Sequence, residues 1–173
     1  AYTARLGDFF SVRVGAVSGM DKVFTHAQAG NADFVCSETQ RTGKTRRMIF
    51  QTPHEALLPY KAELLARKIR PFNEENWWQW GRLHHVSEQG RIYVNAKTRT
   101  EKPFFLHAST YYDGSVLALF PKAKDTTEQQ LRQYCERLNA LDWRSLGFVC
   151  DGRFLFSQRS LENCPVASGF GVF

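Results

Sequence analysis

Val116-Leu117-Ala118-Leu119-Phe120 is the run that looks most buried in this sequence, and it stops at Pro121. An apolar run of this length, bounded by turn residues, is typical of a strand buried in a sheet. Thr127 then predicts the N-cap of a helix over residues 128–141. The apolar residues of that helix recur at spacings of three and four: Leu131, Tyr134, Cys135, Leu138 and Leu141. A buried strand followed by an amphipathic helix therefore sets the fold class.

Working outward, alternating or clustered apolar residues predict further strands. They cover residues 10–16, 22–25, 33–37, 46–50, 91–94 and a region bracketed by 103–106 and 111–112. Residues 153–156 are either a last strand or the first turn of a helix. Asp113-Gly114 is a hairpin turn signal between two such runs.

Two further helices are predicted before residue 90. Thr52 as N-cap and Pro53 at the first position start one that runs to about Lys68, with a kink or late start at Pro59. Residues 77–82 form a short second one, preceded by the acidic pair Glu74-Glu75. The sequence thus predicts an α+β fold, a mixed or antiparallel sheet with several packed helices, in a single domain over residues 1–173.

The composition is that of an ordinary soluble domain with a basic excess. The chain has 173 residues, 23 Lys plus Arg against 17 Asp plus Glu, and a formal net charge of +6. That excess is compatible with a polyanionic partner. No apolar run is long enough to span a membrane. The four cysteines form no Cys-x-x-Cys pair and there is no signal-peptide pattern, so we expect reduced thiols in a cytoplasmic protein.

Three of the four tryptophans, Trp77, Trp78 and Trp80, lie in the segment 67–82, between basic residues on both sides. Such a cluster marks either a dense packing node or a stacking surface. Trp77 and Trp78 are adjacent, so their side chains point in different directions in a helix or a strand. We therefore expect one of them to reach the surface.

Two loops concentrate positive charge among small polar residues. Arg41, Lys44, Arg46 and Arg47 form the first, and Asn95, Lys97 and Arg99 form the second. Side chains and backbone N–H groups of such loops reach phosphates, and Arg and Asn read base edges. The alternative is a solvated, solubilising surface. Gly43-Lys44-Thr45 resembles the end of a phosphate-binding loop, but the glycine required five positions earlier is replaced by Glu38.

Catalytic and metal-binding patterns are absent from the sequence. The acidic residues form no evident catalytic pair, and no common hydrolase, metalloprotease or dinucleotide motif occurs. His84 and His85 are neighbours, a poor spacing for two metal ligands, and His107 has no identifiable partner. We predict no catalytic and no metal site in this chain.

Residues 6–24, Leu-Gly-Asp-Phe-Phe-Ser-Val-Arg-Val-Gly-Ala-Val-Ser-Gly-Met-Asp-Lys-Val-Phe, carry a resemblance to a known family. The segment is similar to the opening of the target-recognition domain of N6-adenine DNA methyltransferases of the TaqI and Eco57I type. A Lys-x-x-Leu helix, a Trp-rich segment, an Arg-Ile-x-Val strand and a basic loop follow in the same order. The similarity extends over about residues 6–121.

This resemblance implies sequence-specific binding of double-stranded DNA. The implied contact residues are Ser18, Lys22, Arg41, Lys44, Arg46, Arg47, Arg70, Trp78, Arg82, Asn95, Lys97 and Arg99. Charge reversal at Arg46 and Arg47 is expected to weaken binding.

The family's catalytic domain, with its S-adenosylmethionine site and its (Asn/Asp)-Pro-Pro-Tyr motif for the flipped adenine, is not represented here, because no Pro-Pro occurs in the sequence. We expect a C-terminal fragment of a longer methyltransferase. It would hold no cofactor itself, and its partner would be the catalytic domain of the parent chain.

Three other functions remain open at this point. One is an RNA-binding module in which Trp and Phe stack on unpaired bases. Another is a protein–protein interaction domain that uses the Trp patch. The last is an enzyme that uses His84, His85 or His107.

Overall fold

The computed structural model of the protein describes residues 3–173. Within that range the strands are β1 (Ala4–Arg5), β2 (Phe10–Val14), β3 (Ala32–Val35), β4 (Arg46–Met48), β5 (Ile92–Asn95), β6 (Lys97–Thr98), β7 (Phe104–Phe105), β8 (Tyr111–Tyr112), β9 (Val116–Pro121), β10 (Val149–Cys150), β11 (Arg153–Leu155) and β12 (Pro165–Val166). The α-helices are α1 (Asp21–Phe24), α2 (Thr39–Thr42), α3 (Lys61–Leu65), α4 (Glu128–Ala140) and α5 (Gln158–Glu162), and 3-10 segments span Leu6–Asp8, Glu55–Tyr60 and Ser168–Gly171.

The central element is an antiparallel sheet of four strands in the order β2-β9-β5-β7. Strand β9 is buried along its whole length, as its sequence predicts. Leu117 and Leu119 point to one face of the sheet, whereas Val116, Ala118 and Phe120 point to the other. A strand that is apolar on both faces must be covered on both faces, and this requirement places β9 inside the molecule.

One face of the central sheet packs against α4 and the C-terminal segments. Tyr134 and Leu138 of α4 join Phe10, Val12 and Trp143 in the largest apolar cluster. The helix begins as predicted, because Thr127 and Gln130 satisfy each other's backbone N–H groups. A smaller sheet, β10-β11-β6, lies beside this layer, and β1 pairs with β12.

The other face is covered by a mixed sheet, β4-β3-β8, in which β3 and β8 are parallel. Phe34 of β3 is stacked on Trp80, with ring centroids 4.7 Å apart. Trp77 and Trp80 are both buried in the cluster that this sheet shares with α1 and α3. The fold class is therefore α+β in a single domain, as predicted.

The predicted helix over residues 77–82 is wrong, and two arginines supply the physical reason. Arg67 donates to the carbonyls of Trp77 and Gln79, both at 2.7 Å, and Arg70 donates to those of Trp80 and Gly81. These carbonyls point to guanidinium groups instead of along a helix axis. Residues 77 and 78 lie in a turn, residues 79 and 81 lie in bends, and Arg82 forms an isolated bridge with Val17.

Other local predictions also need correction. Residues 22–24 belong to helix α1 and not to a strand, since four residues are too few for periodicity to separate the two, and only Thr25 forms a β-bridge, with Met48. The first of the two predicted basic loops contains α2. The helix over 52–68 begins only at Glu55, where the His54 ring accepts the Ala56 N–H, and it is a 3-10 segment followed by α3.

The Asp113-Gly114 signal marks a turn but not a hairpin. Strand β8 pairs with β3, whereas β9 pairs with β2 and β5. The turn therefore carries the chain from one sheet to the other. The chain start at Ala1 lies outside the described residues.

Candidate nucleic-acid interface

The two basic loops of the sequence meet at one cleft. The open cleft has a volume of about 460 Å³ and is lined by Ser37, Glu38, Gln40, Arg41, Asn95, Lys97, Thr98, Arg99, Thr100 and Arg153. Four of these side chains are cationic and one, Glu38, is acidic. Of the predicted contact residues, Arg41, Asn95, Lys97 and Arg99 are thus brought together.

One wall of the cleft is built by α2 and its flanking turns. Thr39 is buried, and its hydroxyl accepts the Cys36 N–H and donates to the Lys44 carbonyl. Gly43 ends the helix with a φ of 73°, a backbone conformation that favours glycine. These contacts fix the short helix and leave Arg41 and Lys44 exposed.

Asn95 joins this wall to the end of β5. Its Nδ2 atom donates to the Ser37 carbonyl at 2.8 Å, and the side chain is 7% exposed. Its Oδ1 atom has no hydrogen-bond partner among the described residues. An unpaired acceptor of this kind normally binds water or a ligand donor. Asn95 therefore carries a buried, unused acceptor in the wall of the cleft.

The opposite wall comes from β6 and β11, which pair antiparallel. Arg153 begins β11 and follows the turn at Gly152, whose carbonyl accepts from Arg99 at 3.4 Å. Arg153 was not predicted as a contact residue, because only the non-local pairing of β6 with β11 brings it to the second loop. Its one sequence signal is an arginine at the start of a candidate strand.

Arg46 and Arg47 of the first loop are ion-paired. Arg46 lies 3.7 Å from Asp21 and 3.8 Å from Asp113, and Arg47 lies 3.2 Å from Asp33. Burial raises the pKa of Asp113, while its hydrogen bonds to Ser115 and the Arg46 charge oppose that shift. Arg46 lines a neighbouring open cleft of about 380 Å³, and Ser37 lies in the lining of both this cleft and the first. The charge of Arg46 is thus largely neutralised by carboxylates of the same chain.

Arg70 and Ser18 each form hydrogen bonds between their side chain and backbone groups. The Arg70 side chain is half-buried, donates to the carbonyls of Trp80 and Gly81 and lies 4.6 Å from the centroid of the Phe72 ring. Ser18 is fully buried, and its hydroxyl donates to Asp21 and accepts the Met20 N–H.

Three of the predicted contact residues lie elsewhere on the surface. Lys22 is exposed on α1, and Arg82 is exposed where its backbone pairs with Val17. Trp78 is half-buried against the cluster of α1 and α3. None of the three lines the first cleft.

The three histidines considered for catalysis lie in different surroundings. His84 is buried among aromatic rings, and desolvation, followed by the nearby Arg91 charge, lowers its pKa to about 4. His85 is exposed against Phe120, and His107 accepts the Ser109 N–H. In the described part of the chain, no group of three His, Cys, Asp or Glu side chains is placed to hold a metal ion.

Comparisons with known proteins give a likeness of fold. No model of a protein family matches the sequence, and no curated protein sequence matches it either. A chain from a solved structure described as "Structural basis underlying complex assembly and conformational transition of the type I R-M system" is similar, with a TM-score of 0.52 and 13% sequence identity. The match covers 94% of this chain and 32% of that chain.

The fold of this chain is thus similar to that of a chain from a structure of a type I restriction-modification system. The present chain corresponds to about a third of the length of its structural neighbour. No helix within residues 3–173 has both the length and the apolar character to cross a membrane.

Proposed function

We propose that this chain is a DNA-recognition domain of a restriction-modification system. The observation that carries the proposal is the cleft where Arg41, Lys97, Arg99 and Arg153 converge on an open, polar surface. The fold supports it, because the structural neighbour belongs to a type I restriction-modification complex. In such a role the chain binds duplex DNA and recognises the sequence next to the modified base.

The chemistry of the cleft fits a polynucleotide better than a small apolar ligand. The cleft is open, and cationic and hydrogen-bonding side chains dominate its lining. Pockets for small molecules are mostly concave and apolar. Guanidinium and ammonium groups bind phosphate oxygens. Arg also donates to base edges in the major groove, and Asn both donates to and accepts from them. Asn95 lines the same cleft, and its unpaired acceptor is buried in the cleft wall.

The finer proposal is the target-recognition domain of an S-adenosylmethionine-dependent N6-adenine DNA methyltransferase. It rests on the resemblance over residues 6–121, and its partner is a catalytic domain in the parent protein. We assign the cofactor of that enzyme to the catalytic domain and expect this chain to hold none.

The stacking function considered for the tryptophans loses its main support. Trp77 and Trp80 are 8% and 1% exposed, and the Trp80 indole N–H donates to the Ile49 carbonyl. Rings held in this way cannot stack on unpaired bases. The same burial argues against a Trp patch that binds a partner protein.

Equilibrium binding to a fluorescent duplex at several salt concentrations tests the proposal, with a single-stranded RNA of equal length as the comparison. We expect duplex to be preferred and log K to fall by about 0.9 per phosphate contact for each unit of log salt. Selection from a pool of random duplexes should then enrich one short motif. Equal affinity for RNA, or no binding at low salt, would contradict the proposed function.

A further inference from the structure

A second basic cleft lies apart from the first, on the edge strand β2. Its volume is about 310 Å³, and its lining consists of Ser11, Arg13, His85, Gln89, Phe120, Pro121, Lys122 and Lys124. Three of these residues are cationic, one is a histidine, and none is acidic. The basic loops of the sequence contain none of them.

The fold brings these residues together from three distant segments. Ser11 and Arg13 alternate with Phe10 and Val12, which are buried against α4, so they point to the opposite face of the sheet. Lys122 and Lys124 follow the end of β9, where the Lys122 N–H donates to the Phe9 carbonyl at 2.8 Å. The cleft therefore depends on the pairing of β2 with β9.

Gln89 orders the floor of the second cleft. Its amide nitrogen donates to the Pro121 carbonyl, and its amide oxygen accepts from the Lys124 ammonium group at 3.3 Å. The His85 ring meets the Phe120 ring edge-on, with centroids 5.3 Å apart. Lys124 is thus held at the rim by a neutral partner, which leaves its charge uncompensated.

None of the three cations of this cleft forms an ion pair within residues 3–173. Arg46, Arg47 and Arg144, in contrast, each lie within 4.0 Å of a carboxylate. Arg13, Lys122 and Lys124 are all exposed. Like charges that share a concave surface without a carboxylate raise the local potential and attract anions. A tetrahedral anion with several acceptor oxygens fits donors that arrive from several directions.

We infer that the cleft of Arg13, His85, Lys122 and Lys124 binds a phosphate group. The phosphate belongs either to a polynucleotide backbone or to a small phosphate ester, and the polynucleotide source rests on the proposed function.

The sheet geometry makes a second contact on one duplex feasible. Arg13 pairs with Ala118 and Asn95 pairs with Val116, on two strands that flank β9. Their Cα atoms are therefore roughly 12 Å apart, from two residues along β9 and two strand spacings. Because Val12 and Val94 both face the α4 layer, Arg13 and Asn95 share the other face of the sheet.

Titration with inorganic phosphate, followed by amide NMR, tests the site without DNA. We expect shifts of the Gln89 side-chain amide and of the backbone amides at Ser11, His85 and Lys124. The double variant Arg13→Gln/Lys124→Gln should weaken phosphate binding by about tenfold or more. Arg159→Gln is the control, because Arg159 is exposed on α5 and lines neither cleft.

The same variants in duplex binding distinguish the two sources of phosphate. A salt slope that falls by about 0.9 for each lost contact in the double variant, but not in the control, assigns the site to a polynucleotide. An unchanged duplex slope with weakened phosphate binding assigns it to a small phosphate ester. Phosphate shifts without any duplex binding would contradict the proposed function and leave this site standing. Phosphate binding that is absent, or equal in the double variant and the wild type, would overturn the inference.

Discussion

The Arg46 Nη1 atom lies 3.8 Å from the Asp113 Oδ2 atom. Asp113 is only 5% exposed, and Arg46 is the cation nearest to its carboxylate. Asp113 also accepts from the backbone and hydroxyl of Ser115. A buried carboxylate that loses its cation keeps the cost of desolvation. Charge reversal at Arg46 would therefore damage the fold as well as any DNA contact, and stability has to be measured first.

The Arg46→Gln variant is expected to be less stable than the wild type by about 1–3 kcal/mol at neutral pH. The pKa of Asp113 is raised, so the folded state binds the carboxyl proton more tightly than the unfolded chain does. The free energy of unfolding therefore falls as pH rises from the usual Asp pKa through the raised one. Loss of Arg46 raises this pKa further. The deficit should therefore shrink as pH falls toward 4.

Urea unfolding of the single variants and of Arg46→Gln/Asp113→Asn gives the coupling between the two residues. We expect the double variant to recover part of the stability lost in Arg46→Gln. A deficit that is independent of pH, with no recovery in the double variant, would show that Arg46 does not act through Asp113.

Arg67 is expected to stabilise the fold through carbonyl groups and not through an ion pair. Its guanidinium group donates to the carbonyls of Leu64, Ser18, Trp77 and Gln79. Desolvation, followed by the Arg70 charge, lowers its pKa to about 10, so it remains cationic at neutral pH. A lysine at this position cannot reach four acceptors in different directions.

We therefore expect Arg67→Lys to cost about 3 kcal/mol of unfolding free energy, equally at low and high salt. The neighbouring variant Lys68→Gln, at an exposed position, should stay within about 0.5 kcal/mol of the wild type. Chemical denaturation at two salt concentrations measures both variants. A loss below about 1 kcal/mol would refute the role assigned to Arg67.

His84 is expected to make the protein sensitive to mild acid. The histidine is 5% exposed, its Nδ1 atom has no partner among the described residues, and its pKa of about 4 lies below the ordinary value of 6.5. The unfolded chain therefore binds this proton more readily. The stabilisation is complete above pH 6.5 and is lost as pH falls toward 4.

Between pH 7 and pH 5 the loss attributable to His84 should be about 2 kcal/mol. The variant His84→Phe, which keeps a ring among Phe34 and Phe50, should remove that part of the pH dependence. His85→Gln should retain it, since His85 is exposed. Thermal unfolding across this pH range is the measurement, and equal slopes in wild type and His84→Phe would contradict the prediction.

The first cleft is expected to supply phosphate contacts through its exposed cations. Lys97→Gln/Arg99→Gln should lower duplex affinity and reduce the salt slope by about 0.9 for each residue that contacts a phosphate. Both side chains are exposed, so the thermal midpoint should hardly change. Fluorescence anisotropy measures binding, and Arg159→Gln is again the matched control. Equal slopes in the two variants would remove Lys97 and Arg99 from the interface.

The parts of the fold that could be predicted from the sequence are those with local causes. The all-apolar run of β9 and the Thr127 cap with the three-and-four spacing of α4 act over a few residues, and both elements lie where predicted. The irregular backbone at 77–82 could not be predicted, because the guanidinium groups that bind its carbonyls belong to Arg67 and Arg70, about ten residues earlier. The helix propensities of residues 77–82 contain no information on donors that lie outside this segment.

The candidate site shows the same division. Charge and loop composition identify Arg41, Lys97 and Arg99, although they give no sign that one cleft holds all three. Arg153 enters only through the pairing of β11 with β6. The Arg46 and Arg47 charges look free in the sequence, yet their acidic partners lie in other segments of the chain.

The pairing of β2 with β9 also has a consequence for folding during synthesis. Val14 pairs with Leu117, so strand β2 must wait for roughly 100 further residues before its neighbour leaves the ribosome. At ordinary elongation rates that delay is about 5–20 seconds. Phe10 and Val12, fully buried in the finished fold, are exposed for that time. The nascent chain is therefore a candidate for chaperone binding until β9 emerges, and its folding should be slow for a protein of this size.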